Sequence, residues 1–420
     1  MRRILIVLLA GLLAGCAGSD SQAPQPPATP APPVTSEPTA PPAPTAPVVP
    51  TPDVAPPREP VTYIVWNELG VTLQPSDVGV EAGLPVADQS AVLLPDGSIR
   101  LYFFGQNQGI LSAISTDNGQ HFTPEPGQRL PDGNGMPRAI TLPDGRIRLY
   151  VIGGDGIHSA ISSDGLTFTA EPGVRISNAG APVPALSGVS VVRTDAGFRA
   201  YFSDLPRPGE GPKPHIVYSA QSTDGLTWSF DDGVRVGAAN FAAPDAMQQS
   251  AEHPFVLRES DGSYTMYFAR NQMLWSATSA DGLSWDNQQS TGIVGNDPDA
   301  LDLPSGQRLL LYGNFRPDIG GYLLAAQQTE SSWDVHIASQ AGAMNQFTIE
   351  ISGMSANPID LHISDPNMQA FITLDATQVS APANVQATLK PGMRGMPELH
   401  LSDGLVNRSV LLMPSTPPSP

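Results

Sequence analysis

Residues 160–169 read AISSDGLTFT, and the phrase recurs as AISTDNGQHFT at 113–123, AQSTDGLTWS at 220–229 and ATSADGLSWD at 277–286. Ser115, Ser162, Ser222 and Ser279 stand in register. The Asp and Gly or Asn that follow carry turn chemistry, because Asp bonds nearby backbone and Gly accepts left-handed geometry. The closing aromatic (Phe122, Phe168, Trp228, Trp285) is predicted to re-enter a core after the hairpin. Upstream of each copy lies a strand, a turn and an alternating apolar strand: AVLLPDGSIRLYFFG (91–105), AITLPDGRIRLYVIGG (139–154), VVRTDAGFRAYFSD (191–204) and FVLRESDGSYTMYFAR (255–270). A fifth version, ALDLPSGQRLLLYGN (300–314), continues into AAQQTESSWDV with Trp333 in the aromatic slot. The strands end at Tyr102, Tyr150, Tyr201, Tyr267 and Tyr312.

The repeat length suits four strands per unit, and a lone four-stranded sheet leaves both faces uncovered. Radial stacking covers them, so the predicted fold is all-β: a five-bladed β-propeller over 62–338. A β-solenoid is the alternative, although its repeats are usually shorter. NELGVTLQ around Glu68 resembles the last strand of a unit, which makes the N-terminal segment the expected closing strand of the final blade. Period-two stretches such as FTIEISG, IDLHISD and AFITLDA predict a small β-sandwich at 339–414, with a disordered tail at 415–420.

Composition agrees with this class. Forty Gly and 45 Pro among 420 residues oppose long helices. The formal charge of −19 repels phosphate backbones, so nucleic acid is excluded as a partner. Cys16 is the one cysteine, and no intramolecular disulfide can form. Residues 1–16 combine Arg2 and Arg3 with an apolar run and Leu13-Ala14-Gly15-Cys16, the anatomy of an export signal. That last tetrad resembles the bacterial lipobox. The resemblance implies lipid attachment at Cys16 and an extracytoplasmic protein anchored to the cell envelope, at the outer membrane or cell surface. Residues 17–61 are proline-rich and almost uncharged, a disordered linker serving as a stalk.

The turn phrases resemble the Asp-box of sialidase-like repeat proteins, a structural turn on the blade periphery. The inner strands resemble those of glycoside hydrolase family 43, five-bladed glycosidases that project carboxylates into the mouth of the central tunnel. Counting back eight residues from the turn Asp selects Asp88, Met136, Ser187 and His253; alignment on Pro304 selects Asp297. The resemblance places Asp88 in the general-base slot and Glu252 in the general-acid slot, a carboxylate pair of the kind glycoside hydrolysis uses. Ser187 occupies the unit in which the family carries its third acid. His253, Asp297, Ser187 and Arg138 are the ligand-binding candidates. Trp66, Trp275 and Trp333 are candidates for sugar stacking, with core packing as their alternative. No cofactor or metal spacing is read. Three readings stay open: a carbohydrate-binding propeller of degenerate glycosidase type, an active hydrolase using Asp88 and Glu252, and a non-catalytic protein-binding scaffold.

Overall fold

The computed structural model describes residues 61–181, 185–204, 215–237, 250–339, 345–392 and 397–412. The export signal, Cys16, all of the linker but Val61, and the tail lie outside the described residues. The chain is nearly all β. Among the described residues, helix is confined to Pro366–Gln369 and a 3-10 turn at Pro75–Asp77.

Five antiparallel sheets follow one another between Tyr63 and Ser331. Their first strands are Val86–Leu93, Gly135–Thr141, Leu186–Thr194, Glu252–Arg258 and Asn296–Asp302. Each first strand touches the next, and Asn296–Asp302 touches Val86–Leu93, so the five close a cycle. The fifth sheet takes its outermost strand from the start of the chain. Tyr63–Leu73 pairs antiparallel with Gly320–Ser331, with Glu68 opposite Ala326, as the sequence predicts.

Because successive side chains leave opposite faces of a strand, each second strand feeds two apolar layers. In Ile99–Gly105, Leu101 and Phe103 pack toward Leu309 and Leu311 of the fifth sheet. Tyr102 and Phe104 pack toward Leu149 and Val151 of the second. Apolar clusters fill each of the other interfaces in the same way. This two-sided burial is why these strands read as almost uninterrupted apolar runs.

The repeated turns lock neighbouring sheets together. Asp164 accepts from Leu166 N and Thr167 N at 2.8 Å each, and Ser162 Oγ accepts from Gly165 N at 2.8 Å. Three outward carbonyls result, and the preceding sheet caps all of them. Arg100 donates to Asp164 O at 2.9 Å, Tyr102 to Gly165 O at 2.8 Å and Arg129 to Leu166 O at 2.9 Å. The arrangement repeats with Arg148, Tyr150 and Arg175 on the 224–226 turn, and with Arg199, Tyr201 and Arg235 on the 281–283 turn. Tyr102, Tyr150 and Tyr201 also meet Phe168, Trp228 and Trp285 edge to face.

Two expectations are corrected. Asp299 pairs with Leu311, as Ser90 pairs with Tyr102, so Leu311 and not Tyr312 holds the fifth repeat's slot. The interface with the first sheet is accordingly apolar, with Gly119 set against Leu309. Trp333 is not the aromatic of a fifth turn. It opens the strand Trp333–Ser339, which pairs with Gln346–Gly353, so the C-terminal sheets begin at 333 and not at 339. Those sheets are ordered 333–339, 346–353, 383–389, 372–374 and 378–379, 359–363, 398–402, 407–411. They bury a common core that includes Trp333, Phe347, Leu361 and Leu399, joined by Val65 of the N-terminal strand.

Candidate functional site

The start of each inner strand carries a β-bulge, where two of its residues oppose one on the second strand. The first bulged residue is left-handed in every sheet: Asp88 (φ 56°), Met136 (49°), Gly188 (51°), His253 (48°) and Asp297 (52°). Four of the five are not glycine, so each stores roughly 1–2 kcal/mol of backbone strain. Four of the residues selected by the turn offset are these bulged residues, with Gly188 rather than Ser187 in the third sheet. The third hairpin is one residue shorter, since Arg193 pairs with Phe198 across four residues where Leu93 pairs with Ile99 across five. Counting back from Asp195 thus falls one short.

The bulges bring their side chains together. His253 Nδ1 is in direct hydrogen-bond contact with Asp297 Oδ1, and its Nε2 lies 3.2 Å from Ser187 Oγ. Met136 Sδ accepts from Gly188 N at 3.3 Å. Gln89, next to Asp88, donates through Nε2 to the carbonyl of Asp297. One donor atom each from Asp88, His253 and Asp297 falls within a 4.8 Å cluster, so these three are the residues able to hold a cation here.

Their protonation is uneven. Burial, aided by the Asp297 charge, raises the Asp88 carboxyl to about 7, against the pull of His253 and Arg138. Burial pushes the His253 imidazole down, but Asp297, then Asp88 and Glu252, overcome it and lift it to about 9. Burial likewise works against ionisation of Asp297, yet the adjoining His253 charge and hydrogen bond hold it below the usual range. Near neutrality the cluster is an Asp297–His253 ion pair beside a half-protonated Asp88.

A second layer supports it. Arg138 and Asp299 form a buried pair at 2.7 Å, and Arg138 Nε donates to Val189 O at 2.8 Å. Burial raises Asp299 to about 6. The hydroxyls of Ser90 and Ser190, at the same register, accept from Ala139 N and Val256 N of the following strands. Arg138 is 5% exposed and Ser187 1%. Arg138 is paired with Asp299, and Ser187 Oγ lies beside His253 Nε2.

Glu252 immediately precedes its bulge, and its charge is among those that hold the proton on His253. Its Oε1 lies 3.8 Å from His215 Nε2, while His215 Nδ1 donates to Asp204 O at 2.5 Å. Asp299, Gln89 and His215 were not singled out in the sequence as site residues. A charged side chain within an inner strand, as in NDPDALD, is the signal that finds Asp299. Trp66 and Trp333 are 7% and 1% exposed and belong to cores. Trp275 is partly buried, with the Arg270 guanidinium 4.5 Å from its ring centre.

Fold and cluster together define a class: a nearly all-β chain of successive four- and five-stranded sheets that gathers ionisable side chains at the bulged starts of its inner strands. No family model matches the chain. An uncharacterized protein of Mycobacterium tuberculosis is 29% identical over 171 residues, 33% of this chain and 55% of that protein. The chain thus spans about half the length of the curated relatives it matches. Similar solved structures include an endo-1,4-beta-xylanase from Bacteroides thetaiotaomicron (17% identity, 65% of this chain and 97% of that chain, TM-score 0.45). A GH43_1 enzyme from Xanthomonas citri matches at 15% identity, over 66% and 92% of the two chains, with a TM-score of 0.47. An exo-beta-1,3-galactanase from Phanerochaete chrysosporium matches at 10%, over 78% and 89%, with a TM-score of 0.46.

Proposed function

We propose that this chain is an envelope lipoprotein whose five sheets are the blades of a propeller, and that Asp88, His253 and Asp297 bind a glycan at its axis. Cys16 carries the lipid, residues 17–61 form the stalk, and the two C-terminal sheets form a β-sandwich. The observation that carries the binding role is the convergence of three ionisable side chains on five equivalent bulges. Carboxylates accept from sugar hydroxyls and an imidazolium donates to them. Screening of the purified protein on a glycan array tests this. Binding by the wild type and its loss in Asp88→Asn and His253→Gln support the proposal; an equal response from both variants removes it.

Hydrolysis is the second reading, and the raised Asp88 favours it, because a carboxyl that titrates near 7 is a competent proton donor. This exchanges the roles read from sequence, making Asp88 the acid and leaving Glu252, with its side chain 33% exposed, for the base. Release of aryl alcohol from aryl glycosides, abolished by Asp88→Asn, selects this reading; binding without turnover selects the first.

A further inference from the structure

A second group of ionisable side chains lies away from the axial cluster, where the N-terminal strand meets the C-terminal sheets. Glu68 comes from Tyr63–Leu73, and Glu398 and His400 come from Glu398–Ser402. One donor atom from each falls within 4.8 Å of the other two. Glu68 is 9% exposed. Its Oε2 accepts from the Ser409 hydroxyl at 2.7 Å, and among the described residues no other side chain hydrogen-bonds to its carboxylate. The nearby cation Arg408 is taken up by Asp334 at 2.7 Å. Two carboxylates, one buried and one partly exposed, therefore lie close together with no guanidinium or ammonium bonded between them among the described residues.

The histidine is presented as a ligand would be. Its Nδ1 lies 3.1 Å from Ser409 Oγ, which itself donates to Glu68. An outer hydrogen bond of this kind fixes the tautomer and orientation of a ligating imidazole. The ring is further held by His362, stacked at 5.3 Å between centroids. Nε2 faces Glu398 Oε1 at 3.4 Å, and Glu68 Oε2 lies 4.0 Å from Nδ1. Both gaps exceed a good N–H···O bond. At Nε2, the nitrogen that Ser409 leaves free, 3.4 Å is the edge of a tetrahedron whose arms are about 2.1 Å, the length of zinc–nitrogen and zinc–carboxylate bonds; Glu68 faces the Nδ1 side and completes the group within 4.8 Å.

We propose that Glu68, Glu398 and His400 bind a divalent cation of the Zn2+ class, with the fourth position left to water. Mixed imidazole and carboxylate donors suit such an ion better than Ca2+ or Mg2+, which take oxygen alone. The ion ties the strand that closes the fifth sheet to the C-terminal sheets.

The test titrates the full-length chain, stripped with chelator, with Zn2+, and with Co2+ as a spectroscopic probe. The wild type is expected to bind Zn2+ at this site, to rise in Tm on binding, and to give the intense visible bands of four-coordinate Co2+. Glu398→Gln and His400→Gln are expected to weaken Zn2+ by more than about tenfold, and Ser409→Ala, which leaves every donor in place, by roughly tenfold. Asp88→Asn/His253→Gln, which disables the other cluster, is expected to leave the affinity and the Co2+ bands unchanged. The proposal is overturned if the wild type takes up no Zn2+ at millimolar concentration, if its Co2+ complex has only the weak bands of a hexa-aquo-like ion, or if binding is lost through Asp88→Asn/His253→Gln alone.

Discussion

Asp88 and Asp297 share one backbone bend and one pocket, yet only Asp297 sits in hydrogen-bond contact with the imidazolium. That single contact separates their titrations. For Asp88 the folded state holds the proton more tightly than the unfolded chain, so ionisation works against the fold. Its contribution falls as pH rises from about 4 to about 7. Urea unfolding is therefore expected to show Asp88→Asn gaining stability relative to wild type across that window. His253 runs the other way: raised from 6.5 to about 9, its contribution is complete below pH 6.5 and lost as pH climbs through 9. His253→Gln should flatten the alkaline decline between those values. At this scale the sequence yielded four of five ring positions. It missed Gly188 because a hairpin one residue shorter is invisible to a fixed offset, and it did not show the pairing of Arg138 because Asp299 lies 161 residues away.

The repeated hairpin was legible as a turn, since Ser, Asp and Gly determine it locally. Its receptor was not, because Arg100, Tyr102 and Arg129 belong to the sheet before, and contacts between sheets follow from spatial order rather than from a motif. Removing one hydroxyl from this receptor, as in Tyr150→Phe, leaves the buried carbonyl of Gly225 uncapped and is expected to cost about 1–3 kcal/mol in urea unfolding. Gly165 has φ +72°, and a methyl there meets Arg100 NH1 at 2.4 Å and Tyr102 OH at 2.9 Å. Gly165→Ala should therefore weaken the first and second sheets' contact more than Tyr150→Phe weakens the next one. At the inner bulge, a Cβ on Gly188 would stand 2.6 Å from His253 Cα. Gly188→Ala should accordingly disturb the proposed glycan binding as well as stability, read as a lost array signal in protein that still folds.

Across the whole molecule, stability depends on strands from both ends of the ring. Deleting residues 61–73 bares the edge of Gly320–Ser331 and removes Val65 from the C-terminal core. The expected result is aggregation and loss of a single cooperative unfolding transition, measured by light scattering and calorimetry. Closure by the N-terminal strand could be read from NELGVTLQ because it mimics a strand used elsewhere in the repeat. The start of the C-terminal sheets could not, because Trp333 occupies the place an aromatic holds in the other repeats and only pairing with Gln346–Gly353 reveals its allegiance.

The pairing of Tyr63 with Ser331 also sets an order on assembly. The strand that finishes the structure precedes its complement in the chain and stays unpartnered until that complement is available. Earlier sheets can form meanwhile, but none of them can complete the circle. A premature stop before residue 331 therefore yields a chain with a permanently open edge, a natural target for quality-control proteases.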